Sequence, residues 1–281
     1  MFRKLLEFRP GAGGASETLL VAFSMFDQWI GNSAARYADV VAAAIRSRAK
    51  FAAFRSHRCY RAIVENVTPA DGRRLYEAVA NGPLAYLLAD SEWADTIGGP
   101  RSIEVNGLRL SPTTLRYLAT LNTMIGALPS LPDAKTVCEI GVGYGGLARL
   151  VISHSRAIET YRLVDLPDVL SLSRQYLEHF NLRAQIEYRS RSELGTSDRY
   201  DFAISNWAFS EFSRDLQAEY LAKILTRARA GYLIMNSGLD GATKGFGGHS
   251  CLSDAEILAA LPNARIHGPA RAKGYVIIFG E

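Results

Sequence analysis

Short apolar runs alternate with amphipathic segments through the second half of the chain, which is the pattern of strands joined by crossover helices. The runs that read as strands end at Glu139 and Asp165 or occupy residues 184–188, 201–205, 231–236, 265–267 and 274–279, and helical periods fill residues 169–180, 215–228 and 253–261. The last two strands have no helix between them, so they must pair as an antiparallel hairpin. The pattern predicts an α/β fold in which five parallel strands with crossover helices and a terminal hairpin form a seven-stranded sheet.

The first half of the chain carries mainly helical periodicity. Residues 16–30 are apolar on most faces, and residues 40–54 present a further apolar face. Together these faces offer more hydrophobic surface than a region that only covers a cleft needs, which predicts a homodimer. We place the boundary at residues 129–133, just ahead of the first sheet strand, which predicts a helical region over 1–128 and a sheet domain over 129–281.

Local signals set several element ends in this helical region. Residues 32–67 read as one long amphipathic segment. Thr68-Pro69 then provides a fresh helix start, and Asn81-Gly82 stops that helix. Asn106-Gly107 stands between two short alternating runs and predicts a two-residue hairpin. Ser111-Pro112 predicts the start of the next helix.

A glycine-rich turn follows the first predicted strand. Glu139 ends the apolar run, Gly141, Gly143 and Gly145 follow it, and apolar residues at helical spacing resume at Leu147. Glycine is needed in such a turn where φ is positive or where a ligand must touch the backbone. The free N–H groups of the helix start then point to whatever lies above the sheet. The turn is therefore a candidate nucleotide cradle.

Two nucleotide cofactors compete for this turn, beside the alternative of a glycine-rich corner without a ligand. Gly141-x-Gly143-x-x-Gly146 satisfies the fingerprint of dinucleotide enzymes. Glu139-x-Gly141-x-Gly143-x-Gly145 satisfies the acidic first motif of S-adenosylmethionine (SAM) methyltransferases. A carboxylate suits the ammonium group of SAM and would repel the pyrophosphate of a dinucleotide. A dinucleotide-binding half would also give six parallel strands rather than five and a hairpin, so SAM is favoured.

Asp165 ends the second strand of the sheet, 24 residues after Gly141. Both cofactor families place a carboxylate on the ribose hydroxyls at about this position. The same side chain could cap the helix that opens at Pro167, and the two roles are compatible.

The second half of the chain also resembles a known enzyme family. Residues 139–149 read Glu-Ile-Gly-Val-Gly-Tyr-Gly-Gly-Leu-Ala-Arg, residues 161–170 read Tyr-Arg-Leu-Val-Asp-Leu-Pro-Asp-Val-Leu, residues 205–214 read Ser-Asn-Trp-Ala-Phe-Ser-Glu-Phe-Ser-Arg, and residues 231–236 read Gly-Tyr-Leu-Ile-Met-Asn. The series is similar to bacterial sugar O-methyltransferases, which are class I SAM enzymes. The resemblance implies a Rossmann-like class I methyltransferase sheet and an N-terminal helical region that covers the substrate cleft, forms a dimer interface, or does both. The sugar or glycoconjugate acceptor is implied by the resemblance alone.

The motifs and the resemblance together assign a cofactor site. Glu139, Gly141, Gly143 and Gly145 are expected to hold the methionine end of SAM, Asp165 and Leu166 the ribose, and Ser192 or Glu193 the adenine, with Asn206 beside the methyl group. The expected product of methyl transfer is S-adenosyl-L-homocysteine (SAH).

Catalysis asks for a base near the transferred methyl group, because a sugar hydroxyl has a high pKa. The loops after the fourth and fifth strands carry the candidates Glu211, Asp240 and His249. The usual pKa of histidine suits a base, although His249 could be an exposed loop residue. Glu211 could instead be a carboxylate that favours a helix start. Asp240 could join Glu211 around a divalent cation, but no ligand spacing supports a metal.

Composition agrees with a cytoplasmic enzyme. The chain has 281 residues, of which 48% are hydrophobic, yet no run approaches the roughly 20 apolar residues that span a bilayer. The N-terminus interrupts its apolar residues with charges and shows no signal-peptide core. Cys59, Cys138 and Cys251 form neither a disulfide framework nor a zinc pattern. The cytoplasm, where SAM is made, is the predicted location.

A basic cluster before position 62 has three interpretations. It consists of Arg46, Arg48, Lys50, Arg55, Arg58 and Arg61, and Glu65 is the only acidic residue between positions 45 and 65. Because the net charge is only +4, a solvated helix face is favoured. Attraction of an anionic glycan or nucleotide-sugar comes second, and nucleic-acid binding is the least favoured.

The sequence therefore predicts a SAM-dependent O-methyltransferase that acts on a hydroxyl of a sugar, nucleotide-sugar or glycan. One alternative is a small-molecule methyltransferase of secondary metabolism with the same cofactor site. Another is a catalytically silent scaffold that binds a partner through its helical region. The intact acidic motif at Glu139, together with Asp165, argues against the scaffold.

Overall fold

The computed structural model describes residues 36–236, 250–271 and 274–280. Its N-terminal part is helical and contains one small hairpin. The helices are α1 (residues 36–46), α2 (Arg48–Phe51), α3 (Arg58–Ile63), α4 (Pro69–Ala80), α5 (Leu87–Ala94) and α6 (Pro112–Ala127), and the hairpin joins β1 (Ile103–Val105) to β2 (Leu108–Leu110). The predicted helical region is present in the described residues before position 128.

Most of the local start and stop signals in this region act as predicted. The Thr68 hydroxyl accepts a hydrogen bond from the Asp71 N–H at 3.1 Å where α4 begins. The Ser111 hydroxyl accepts one from the Thr113 N–H at 3.2 Å where α6 begins. Asn106-Gly107 forms the turn of the hairpin with φ angles of 46° and 79°. These side-chain caps satisfy N–H groups that a helix start leaves unpaired.

The prediction of one continuous amphipathic segment over residues 32–67 is wrong where the structure describes it. Ser47 separates α1 from α2 and accepts a hydrogen bond from the Lys50 N–H. A short 3-10 turn (Phe54–Ser56) then leads to His57, whose ring caps α3. Serine and histidine at these positions offer side-chain acceptors that compete with the continuous helix.

The seven-stranded sheet follows this region. Its strands are β3 (Thr136–Ile140), β4 (Thr160–Val164), β5 (Gln185–Arg189), β6 (Tyr200–Asn206), β7 (Ala228–Met235), β8 (Arg265–Arg271) and β9 (Gly274–Phe279). Their order is β5-β4-β3-β6-β7-β9-β8. The first five are parallel, whereas β9 is antiparallel to both β7 and β8. The predicted seven-stranded sheet with its terminal hairpin is confirmed.

Helices cover both faces of the sheet. They are α7 (Gly146–His154), α8 (Pro167–Leu177), α9 (Arg214–Lys223) and α10 (Asp254–Ala260). One buried cluster joins α6, α7 and α8 to residues such as Val137 and Leu163 on one face. A second cluster joins α9 and α10 to residues such as Cys138 and Leu233 on the other face. The parallel strands therefore direct their carboxyl ends towards one common edge.

The first cluster extends into the N-terminal helices. Val41, Ala44 and Phe54 are buried in it together with residues of the sheet. Much of the apolar face predicted over residues 40–54 is thus covered within the chain itself, while residues 16–30 lie outside the described part. None of the described helices is both long and apolar enough to cross a membrane.

Candidate cofactor and acceptor site

The glycine-rich turn between β3 and α7 has the conformation that its sequence predicts. Gly141, Gly143 and Gly145 have φ angles of 76°, 55° and 86°, in the left-handed region that side chains disfavour. A Cβ atom on Gly141 would lie 2.0 Å from Ala208 Cβ. A Cβ on Gly143 would have Val64 Cγ1, at 3.8 Å, as its nearest neighbour. The turn is therefore packed against the end of β6 at its first glycine and leaves room at its second.

Glu139 lies beneath this turn, inside the protein. The residue is 1% exposed, and its Oε2 accepts a hydrogen bond from the Tyr161 hydroxyl at 2.7 Å. Burial raises the pKa of Glu139 to about 8, although the Tyr161 hydrogen bond opposes this rise. The nearby Asp165 carboxyl acts in the same direction as burial. The acid of the motif is thus a buried group in contact with Tyr161, below the surface of the turn.

Asp165 ties the end of β4 to the same turn. Its Oδ2 accepts a hydrogen bond from the Val142 N–H at 2.8 Å, and its Oδ1 accepts one from the Leu166 N–H at 2.7 Å. Burial raises the pKa of Asp165 to about 6, against these backbone bonds. The N-cap of α8 is Leu166, without a side-chain cap, so the alternative in which Asp165 caps that helix is wrong. Leu166 itself is 67% exposed.

Ser192 and Glu193 lie in a short 3-10 turn after β5, and their polar groups have partners. Glu193 Oε2 accepts hydrogen bonds from the Ser190 N–H at 2.7 Å and from the Ser190 hydroxyl at 2.6 Å. These bonds lower the pKa of Glu193. The Ser192 hydroxyl is 3.1 Å from that of Ser190. Glu193 also lines an open groove with Arg174 and Tyr188, so the structure places one predicted adenine residue at a concave surface.

The carboxyl end of β6 carries a residue in a strained conformation. Trp207 has a φ angle of 74°, and its N–H donates to the Ile234 carbonyl at 3.1 Å. A Cβ on Gly274 would lie 2.5 Å from the indole ring, so glycine makes room for that ring. Within the described residues, the indole N–H of Trp207 and Oδ1 of Asn206 are buried without a hydrogen-bond partner. Strain and unsatisfied polar atoms are typical of functional sites.

Glu211 meets Asn236 where β6 and β7 end. Asn236 Nδ2 donates to Glu211 Oε1 at 3.1 Å, and the Asn236 N–H donates to the Ser210 hydroxyl at 3.0 Å. Desolvation raises the pKa of Glu211, and the Asn236 bond opposes the rise. Glu211 still keeps exposed surface, so a raised pKa makes it an accessible proton acceptor nearer to neutral pH. Asp240 and His249 lie outside the described residues.

One member of the basic cluster is a core residue that sequence reasoning missed. Arg55 is fully buried, and its guanidinium pairs with Glu65 Oε1 at 2.5 Å and with Asp95 Oδ1 at 3.0 Å. The Thr114 hydroxyl donates to the same Asp95 oxygen at 2.6 Å. The interpretation as a solvated face is therefore wrong for Arg55. The exposed members of the cluster are Arg46, Arg48, Lys50 and Arg58. The sequence feature that could have indicated this buried ion pair is Glu65, the only acidic residue between positions 45 and 65.

The buried arginine also contacts the glycine-rich turn through Tyr144. The Arg55 guanidinium carbon lies 4.4 Å from the centroid of the Tyr144 ring. Phe54 and Tyr176 meet the same ring edge-on, at centroid distances of 6.1 Å and 4.8 Å. The helical region thus packs directly on the candidate cofactor cradle.

Metal ligands are not gathered at this site in the part of the chain that the structure describes. Across residues 36–236, 250–271 and 274–280, no three His, Cys, Asp or Glu side chains come close enough together to hold a metal ion.

Comparison with known proteins gives distant structural likenesses. No protein-family model and no curated protein matches the chain. Among solved structures, the chain is similar to an O-methyltransferase family protein from Burkholderia thailandensis at 12% identity, covering 75% of this chain and 68% of that chain with a TM-score of 0.43. It is similar to the mitomycin 7-O-methyltransferase MmcR at 18% identity, with coverage of 75% and 67% and a TM-score of 0.41. It is also similar to PigF with SAH at 14% identity, with coverage of 79% and 72% and a TM-score of 0.41. At this distance the likenesses identify neither the reaction nor the substrate of this chain.

Proposed function

We propose that this chain is a SAM-dependent O-methyltransferase. The observation that carries the proposal is the hydrogen bond from the Val142 N–H to Asp165, which joins the acid after β4 to the glycine-rich turn after β3. Glu139, a second acid, is buried two residues before Gly141, the first glycine of that turn. Two carboxyl groups at one cradle favour a cationic ligand, and SAM is cationic at its sulfonium and ammonium groups. The pyrophosphate of a dinucleotide would instead meet the like charge of the Asp165 carboxylate here.

The residues present fit SAM in kind. Glu139, Gly141, Gly143 and Gly145 would hold its methionine end, Asp165 and Leu166 its ribose, Ser192 or Glu193 its adenine, and Asn206 would lie beside the methyl group. SAM, when bound, supplies a methyl group that is already activated. The room at Gly143, where a Cβ would have a single near neighbour, supports close approach of a ligand to the backbone.

The remaining chemical task of the protein is to orient the acceptor hydroxyl and to take its proton. Glu211 is our first candidate base, because its pKa is raised and Asn236 holds its Oε1 at 3.1 Å. His249 and Asp240 follow the neighbouring strand in the sequence and stay candidates for the same role. The unsatisfied polar atoms of Asn206 and Trp207 support an acceptor with hydrogen-bonding groups at this strand end.

The acceptor class rests on the resemblance and on these polar atoms. We propose a hydroxyl of a sugar, nucleotide-sugar or glycan as the group that is methylated, and a small secondary metabolite as the alternative. The packing of Arg55 and Phe54 on Tyr144 supports an N-terminal region that covers the cleft. We also propose a homodimer, with the apolar residues 16–30 as its basis.

Calorimetric titration with SAM, SAH and NADH tests the cofactor. We expect SAM and SAH to bind and NADH not to bind. Asp165→Ala should weaken SAM binding by about 1–3 kcal/mol through lost ribose hydrogen bonds. The matched control is Asp168→Ala, since Asp168 is an exposed acid in the first turn of α8 and its loss should leave the affinity unchanged. Tight NADH binding without SAM binding would contradict the proposal.

A further inference from the structure

A second concave site lies within the helical region and has two arginines in its wall. A cavity of about 80 Å³ lies between the end of α3, the start of α4, the segment before β1 and the start of α6. Its wall includes Arg61 from α3 and Arg101 and Ser102 from the segment before β1. Two arginines from separate parts of the chain therefore line one cavity, which exceeds the roughly 10–15 Å³ that one water needs.

These two arginines have no carboxylate of their own. Across residues 36–236, 250–271 and 274–280, no ion pair or hydrogen bond joins Arg61 or Arg101 to an acidic side chain. The acid in the wall is Glu65, but its Oε1 accepts from Arg55 at 2.5 Å and its Oε2 accepts from the Ser111 hydroxyl at 3.0 Å. The charge of this acid is thus already committed to the buried arginine.

The like charges at the cavity act on each other. Partial burial and the charge of Arg101 lower the pKa of Arg61, and Glu65 acts in the opposite direction. Repulsion between two cations held near one another costs free energy unless an anion lies between them. A bound anion would relieve this repulsion.

Two helices also begin at this cavity. Pro69, at the start of α4, and Pro112 and Thr113, at the start of α6, belong to its wall. The first turn of α6 contains no acidic residue, so nothing in that turn offsets the positive end of the helix dipole. In α4 the acid of the first turn, Asp71, pairs with Arg74. The helix starts add to the positive potential that the two arginines create.

The cavity lies close to the candidate cofactor cradle. Arg61 is three residues before Val64, and residues at this spacing are neighbours on one helix face. Val64 is also the side chain nearest to a Cβ built on Gly143. The segment that carries Arg61 therefore reaches the glycine-rich turn through Val64, the residue that follows α3.

We propose that Arg61 and Arg101 form a binding site for a phosphate group. Guanidinium groups bind phosphate oxygens through paired, charge-assisted hydrogen bonds, and Ser102 adds a hydroxyl donor in the same wall. The phosphate belongs to the acceptor, which makes the acceptor a phosphorylated sugar or a nucleotide-sugar. This assignment to the acceptor rests on the proposed function, whereas the phosphate site itself does not.

Calorimetric titration of the full chain with inorganic phosphate, glucose 1-phosphate and UDP-glucose tests the site. We expect the wild type to bind, with Arg61→Gln and Arg101→Gln each weakening affinity by at least about 10-fold. Arg58→Gln is the matched control, because Arg58 is exposed on α3, the helix of Arg61, and is absent from the cavity wall. The Arg58→Gln variant should bind these ligands with the affinity of the wild type. No binding to the wild type, or equal weakening in all three variants, overturns the proposal.

The same titrations separate this site from the methyltransferase activity. SAM affinity should be unchanged in the Arg61 and Arg101 variants, and unchanged melting temperatures would exclude misfolding as the cause of lost phosphate binding. Arginine-dependent phosphate binding without any SAM binding would support the phosphate site and contradict the proposed function. SAM binding without phosphate binding would contradict the phosphate site and leave the proposed function unaffected. Tighter binding of the two sugar ligands than of inorganic phosphate supports the assignment to the acceptor, and equal affinity overturns that assignment.

Discussion

Two acidic side chains next to one turn dominate the chemistry at the residue scale. Glu139 and Asp165 both have a raised pKa because the protein removes them from water. A buried carboxyl group, which is costly to ionise by itself, becomes easier to ionise beside a cation. The same pair therefore disfavours an anionic ligand and favours a cationic one, which is the residue-scale basis for choosing SAM.

The raised pKa of Glu139 predicts that the stability of the protein depends on pH. Its pKa is about 8 in the folded protein against an ordinary value of 4.5, so the folded state keeps a proton that the unfolded state has already lost between these values. The free energy of unfolding should therefore fall as pH rises through this range, by at most about 5 kcal/mol from this group. Glu139→Gln cannot ionise and should gain stability relative to the wild type from about pH 5 to about pH 9.

Thermal melting across this pH range checks the prediction. Glu77→Gln is the control, because Glu77 is an exposed residue of α4 and its loss should leave the pH dependence of the wild type unchanged. Melting curves of Glu139→Gln that run parallel to those of the wild type at every pH would contradict a buried, protonated Glu139.

Substitution of Glu211, the candidate base, should lower turnover without weakening cofactor binding. A positioned base contributes about 100-fold or more to rate, so Glu211→Gln should lower kcat by at least about 100-fold and leave SAM affinity nearly unchanged. Because the base must be deprotonated, kcat of the wild type should fall as pH drops through the raised pKa of Glu211. If His249 is the base instead, His249→Ala should show the larger loss.

SAH release measures this turnover, with the best acceptor from a panel of sugars, nucleotide-sugars and small phenols. Asp215→Asn serves as the control, since Asp215 is an exposed acid in the first turn of α9. Wild-type turnover in both the Glu211 and the His249 variant would remove both residues as the base.

At the scale of elements, the sequence predicted what local signals encode. Alternating apolar runs predicted the strands, and Thr68, Ser111 and the Asn106-Gly107 pair predicted element ends, because each acts within a few residues. The burial of Arg55, by contrast, depends on Asp95, which is 40 positions away in the chain. Such long-range pairs leave no periodic pattern in the sequence. The helical pattern therefore predicted an exposed Arg55, although the residue is buried.

The buried ion network predicts a large stability cost at Arg55. Replacing Arg55 with Met leaves Glu65 and Asp95 buried without their cation, and breaking a buried pair in this way costs about 3–5 kcal/mol. Urea unfolding followed by circular dichroism should show this loss, together with weaker SAM binding because Tyr144 loses its partner. Arg58→Met, at an exposed position nearby, should stay within about 0.5 kcal/mol of the wild type. Equal stability of the two variants would contradict the network.

At the scale of the whole molecule, one buried cluster crosses the predicted boundary at residues 129–133. Val41 and Phe54 from the helical region share it with Leu150 of α7 and Tyr232 of β7. Helix α6 alone contributes nine buried residues. A sheet domain without its helical region would expose this apolar surface to water, at about 25 cal/mol for each Å².

We therefore expect the chain to unfold as one cooperative unit in spite of its two predicted domains. Calorimetry should give a single transition with equal calorimetric and van't Hoff enthalpies. A fragment of residues 129–281 should bind the dye ANS and lack a sharp melting transition, because the face that packs on α6 is uncovered. A fragment that begins at residue 112 and so keeps α6 is the matched control, and it should recover part of the transition. Two separate calorimetric peaks, or a native-like transition in the shorter fragment, would mean that the helical region is an independent domain whose contact with Tyr144 contributes little to the stability of the cofactor cradle.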